Sequence, residues 1–173
     1  MTEAVEAAHP VERVRVLVDY WNLQLGAGEK LGRNFMPDWR RIPQWLGVAA
    51  VRLAVGDPAL RLRMDGLNAY MSYNPASAAD RKCKTWASNF LDRVPSVQVI
   101  CKERKPRYAP QCQESYDYAV LVSSDADYVP AVELLSSKWR RIIHIGFPPK
   151  GMSLAKTCWA SLDLAPYLKG LER

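Results

Sequence analysis

Residues 116–124 read YDYAVLVSS and run directly into DADYVPAVELL at 125–135. The segment from Ala119 to Val122 is continuously apolar but too short for a buried helix, and a turn-forming run of Ser, Asp and Ala follows it. Such a run reads as a strand buried on both faces, which is the habit of parallel sheets with helices above and below. Two acids, Asp125 and Asp127, then stand at its carboxyl end.

Working outward, residues 13–19 (RVRVLVD) give a second buried strand, and 97–101 (VQVIC) and 141–145 (RIIHI) give two more. A further strand lies in RLRMDGLNAYMSY, most clearly over 67–73, because Asp65-Gly66 also suits a turn; residues 162–164 suit a last short strand. Helical spacing starts at Pro37, with Trp39, Ile42, Trp45, Leu46, Ala49 and Leu53 on one face and Arg40, Arg41 and Gln44 on the other. Gly56-Asp57-Pro58 ends it. Ser77 caps a predicted helix whose apolar stripe is Cys83, Trp86, Ala87, Phe90 and Leu91. Residues 128–138 form another through Val129, Val132, Leu134 and Leu135, and Ser153 caps a short one over 153–159. The aperiodic, charged stretch 102–114 is expected as a loop. Alternating strands and helices predict an α/β, Rossmann-like three-layer fold with a central, mostly parallel sheet, in which ligands bind at the carboxyl ends of the strands.

A chain of 173 residues suits one domain, expected over 13–173 behind a flexible leader at 1–12. Composition (49% hydrophobic, 24% charged) excludes a disordered or fibrous class. No run approaches the roughly 20 apolar residues of a membrane span, so a cytoplasmic protein without a membrane partner is expected. Cys83, Cys101, Cys112 and Cys158 lack C-x-x-C spacing and read as reduced thiols packed as small hydrophobes. The net charge of +6 favours polyanionic partners.

Asp19 closes the first strand and Asp125 and Asp127 close the central one. In neighbouring parallel strands, about 4.8 Å apart, all three carboxylates can reach a common point. Like charges so placed cost stability unless a cation joins them, and carboxylates without His or Cys suit Mg²⁺ or Mn²⁺. Each acid taken singly also suits a helix cap, Asp127 for a helix from Tyr128 above all. Asn22 suits either a site amide or a cap for a helix from Leu23. Ser123 and Ser124 place hydroxyls beside the acids. With only His9 and His144 in the chain, a Ser/His triad is not expected. The pair Asp125-x-Asp127 also brings to mind a haloacid-dehalogenase-type phosphatase, but it lies late in the chain and lacks the following Thr.

VLVDYWNL at 16–23 and YDYAVLVSSDADYVPAVELL, with the later GFPPKGMSLAKTCWASLDL, resemble the two halves of NYN domains. The resemblance spans about residues 13–164. It implies a PIN-like fold and metal-dependent endoribonuclease activity, with Asp19, Asn22, Asp125 and Asp127 at the family's acidic-pocket positions. Asp19, Asp125 and Asp127 would then hold one or two Mg²⁺ or Mn²⁺ ions that activate water against an RNA phosphodiester. Members of that family carry a further acidic helix before the SDAD strand, whereas CKERKPRYAPQCQESYDY leads here almost directly from one strand to the next. A catalytically weak or inactive RNA-binding or interaction domain is therefore the alternative. Backbone contacts are expected from Lys102, Arg104, Lys105 and Arg107, with Lys82 and Lys84 one helix earlier, unless that stretch is only a solvated basic loop. Tyr73, Tyr108 and Tyr128 suit stacking on unpaired bases, and Trp21 suits the entrance. The expected partner is single-stranded RNA, with a second copy of the chain as a further candidate.

Overall fold

A computed structural model describes residues 10–103, 116–138 and 140–173. Six strands form one all-parallel sheet: β1 (Glu12–Asp19), β2 (Leu62–Tyr73), β3 (Val97–Glu103), β4 (Tyr118–Val122), β5 (Arg141–Gly146) and β6 (Ala160–Asp163), in the order β3-β2-β1-β4-β5-β6. All five residues of β4 are buried, as its unbroken apolar run requires. Val14, Val16 and Val18 of β1 enter the larger core on one face, and Leu17 enters a smaller one on the other. The expected α/β fold, with helices on both faces of a parallel sheet, is what forms. Chain order reverses between β1 and β4, and there the carboxyl ends of an open parallel sheet leave a crevice.

The larger core is covered by α1 (Tyr20–Leu31), a helical stretch made of α2 (Ile42–Gln44), a π turn (Trp45–Ala49) and α3 (Ala50–Val55), and α4 (Ala78–Asn89). The smaller core lies under α5 (Val129–Ser136) and α6 (Met152–Thr157). A 3₁₀ segment, Ala165–Leu171, inserts Leu168 and Leu171 into the larger core.

Several expectations need correction. The helix α1 is not apparent from periodicity, since only Tyr20, Leu23 and Ala27 are buried and two glycines lie inside it. Gly26 is needed there, because a Cβ would meet the Phe147 ring at 2.3 Å. Asp65-Gly66 is not a turn but a bulge within β2: Val14 pairs with Met64 and Arg15 with Gly66, leaving Asp65 as the extra residue. The helix predicted from Pro37 starts at Ile42, and its π turn shifts the register by one residue. Ala50 and Val51 therefore face the core in place of Ala49 and Leu53, and Leu53 is exposed. Phe90 and Leu134 also point outward. The cap of α6 is Gly151, in left-handed conformation, rather than Ser153. Glu12, assigned to the leader, belongs to β1 and pairs with Leu62. Ser77 caps α4 as its position predicts, accepting from the Asp80 amide.

Cys83, Cys101 and Cys158 are free, partly buried thiols. No helix among the described residues is long and apolar enough to cross a membrane. Residues 1–9, Arg104, Lys105, Arg107, Tyr108, Cys112, Glu114 and Trp139 lie outside the described residues.

Candidate functional site

Val18 pairs with Val122 across the central strands, so Asp19 and Ser123 are the first residues beyond the reversal point. Asp19 caps α1: its Oδ1 accepts from the Asn22 amide at 3.1 Å, while its Oδ2 accepts from the Asn22 side-chain Nδ2 at 2.7 Å. The Asn22 Oδ1 then accepts from the Ser124 backbone N–H at 3.2 Å. One amide side chain thus joins the end of β1 to the end of β4. Asn22 is not the cap of a helix from Leu23, because the helix starts three residues earlier with Asp19 in that role.

On the β4 side, Ser123 is buried, and its hydroxyl accepts from the Asp125 N–H at 3.1 Å. It shapes the loop from a buried position. Asp125 caps a 3₁₀ turn, Ala126–Tyr128, by accepting from the Asp127 N–H at 3.0 Å. The capping acid is therefore Asp125, not Asp127, whose carboxylate stands exposed. Burial pushes the Tyr128 phenol up to about 12, and the carboxylates of Asp19 and Asp125, the Tyr70 phenol and Asp127 push in the same direction. Tyr128 is thus within electrostatic reach of all three aspartates and stays a protonated hydrogen-bond donor at neutral pH.

No lysine or arginine among the described residues pairs with Asp19, Asp125 or Asp127. The N-terminus of α1 is also unsuited to an anion, because the Asp19 carboxylate already takes the Asn22 amide and puts a negative charge there. The donors are all hard oxygens, which suits Mg²⁺ or Mn²⁺. Among the described residues, however, no three acidic, His or Cys groups close into a ready cage. Mg²⁺ commonly keeps several waters and is held by one or two carboxylates and the substrate's phosphate.

The other expected site residues are less directly placed. The Trp21 indole N–H donates to the Ser72 carbonyl at 2.7 Å and its ring packs edge-on against Tyr20, so Trp21 braces the wall between β1 and β2. Tyr73 lies farther out, at the end of β2. Its hydroxyl accepts from Lys84 at 2.8 Å and donates to Glu103 at 3.3 Å, and the Lys84 ammonium covers one face of its ring at 4.2 Å. Lys102 is exposed on β3 opposite Ser72, and Ser124 is half-buried at the crevice.

Sequence reasoning missed His144, which is buried in β5 with both ring nitrogens bonded, one of them to the Ser123 carbonyl. Its signal was present: it is the one polar side chain in the run IIHIG. No family model, curated protein or solved structure matches the chain, so nothing beyond its own motifs ties it to NYN domains.

Proposed function

We propose that this chain is a cytoplasmic, metal-dependent endoribonuclease that cleaves single-stranded RNA at the carboxyl ends of β1 and β4. The observation that carries this reading is the junction at the reversal point. Asn22 binds Asp19 and Ser124 together, and three aspartates with no cationic partner among the described residues stand at the same strand ends, where each pushes the Tyr128 phenol up. A hard cation relieves that arrangement, and one or two of the carboxylates of Asp19, Asp125 and Asp127, completed by water and the substrate's phosphate, would hold it. When bound, a divalent ion supplies an activated water and neutralises charge developing on the attacked phosphate. The chain's own work is positioning: Asn22 fixes the distance between the two strand ends, and Tyr128, still protonated, donates to a phosphate oxygen entering the rim.

A second reading is a non-catalytic RNA-binding domain of the same fold. It is favoured by the open rim, where no three ligands close on a point among the described residues.

Purified protein should cut single-stranded RNA with Mn²⁺ or Mg²⁺ and stop in EDTA. Asp125→Asn should abolish cutting and leave the fold intact, since Asn caps as well as Asp. Cleavage by that variant at the wild-type rate rejects the site. Retention of RNA at low salt without cleavage at any metal concentration selects the second reading.

A further inference from the structure

We infer that His144 is a positioning residue for the acidic loop 123–127, acting as a neutral imidazole with its proton on Nε2. Its side chain is 1% exposed. Nε2 lies 2.8 Å from the Ser123 carbonyl oxygen, and Nδ1 lies 2.9 Å from the Ser161 hydroxyl. A carbonyl only accepts, so Nε2 carries the proton, and the free lone pair on Nδ1 accepts from Ser161. One ring therefore ties the carboxyl end of β4 to β5 and β6.

Packing does not require this residue. Its neighbours Ile143 and Ile145 are fully buried apolar side chains, and an isoleucine or phenylalanine would also bury area. What such a residue lacks is a donor for Ser123. The backbone around the ring is cut to its shape: a Cβ at Gly146 would stand 2.6 Å from the imidazole Cε1. One at Gly151, whose φ is +76°, would stand 3.1 Å from both Nε2 and the Ser124 Cα. The loop is thereby held from two sides and by one bond of its own. His144 takes the Ser123 carbonyl, the Ser123 hydroxyl takes the Asp125 amide, and Asn22 takes the Ser124 amide. Removing the first leaves Asn22 of α1 as the side chain from another element that bonds the loop bearing Asp125 and Asp127.

The cleavage part of this inference rests on the proposed nuclease reading; the positioning part does not. Amide hydrogen exchange on His144→Phe and on the milder Ser161→Ala separates them. Relative to wild type, exchange at Ser124, Asp125 and Asp127 should rise about tenfold or more in His144→Phe, the equivalent of one buried carbonyl left unpaired. It should rise less in Ser161→Ala, with Val16 and Val120 little changed in both. Nitrogen NMR of wild type should show the proton on Nε2. Where wild type cleaves RNA, kcat should fall about tenfold with KM nearly constant, and His144→Gln, which keeps a donor, should recover part of the loss. Uniform acceleration at every amide, unchanged exchange in the loop, or a proton on Nδ1 overturns the inference. Normal loop behaviour changes with a wild type that never cleaves would reject the nuclease reading and leave His144 in its role.

Discussion

The two ends of the central strands treat carboxylates in opposite ways. At the amino end, Asp65 sits 2.5 Å from the Arg13 Nε and 3.4 Å from the Arg63 Nε, and Glu12 sits 2.9 Å from Arg141. At the carboxyl end, the Asp19 carboxylate accepts from the Asn22 amide and side chain and that of Asp125 from the Asp127 amide, the Asp127 carboxylate is exposed, and no described cation pairs with any of the three. The chain has 24 lysines and arginines, and none of those among the described residues pairs with these three acids. Acids at one end are part of the scaffold, and acids at the other lack a described cationic partner, which is the charge the proposed cation would supply.

The largest effect that tests this contrast is on turnover. Asp125→Asn should lower RNA cleavage by on the order of a thousandfold, with the melting temperature unchanged. Next comes the response to metal. Mn²⁺ at a hundred times its dissociation constant should stabilise the wild type by about 2.7 kcal/mol in thermal unfolding, and Asp125→Asn should lose most of that gain. The amino end should behave in reverse. Asp65→Asn, which leaves two partly exposed arginines without their carboxylate, should cost about 1 kcal/mol in denaturant unfolding, while cleavage per folded molecule stays at the wild-type level.

The smallest effect is a pH slope. Burial holds the His144 imidazole below its ordinary value of 6.5, outweighing the Ser123 carbonyl, which pulls the other way. The unfolded chain then binds the proton more readily than the folded one. The stability this group contributes is full above about pH 6.5 and declines as pH falls from there towards the lower folded value. His144→Phe should flatten that part of a stability profile measured by urea unfolding.

The sheet was legible in the sequence because its strands are apolar runs of the right length: β1, β3, β4 and β5 announce themselves in RVRVLVD, VQVIC, YAVLV and RIIHI. So was the placement of Asp19, Asp125 and Asp127 at carboxyl ends, which follows from their position after those runs. Less visible was anything decided by tertiary packing. The helix α1 buries only Tyr20, Leu23 and Ala27 and contains two glycines, one of them required by the Phe147 ring, so neither a regular apolar stripe nor local propensity announces it. The bulge at Asp65 looks like a turn because its residues are turn formers; the Arg13 side chain across the sheet makes it part of a strand. The π turn is invisible to a 3.6-residue period and moves every later residue of its helix by one position. At the site, capping and metal-binding readings of an aspartate use the same residue at the same place. Only the structure assigns the caps to Asp19 and Asp125 and shows Asn22 reaching across to Ser124.

The most direct test is paramagnetic broadening of backbone amide signals by Mn²⁺ added to the full chain. An ion attracted by the unpaired acids should broaden Asp19, Asn22, Ser124, Asp125 and Asp127 first and leave Asp65 and Arg141 at the other end sharp, and in Asp125→Asn the early broadening at the site should be lost. Broadening that begins elsewhere, or that persists unchanged in Asp125→Asn, would contradict a cation site at the ends of β1 and β4.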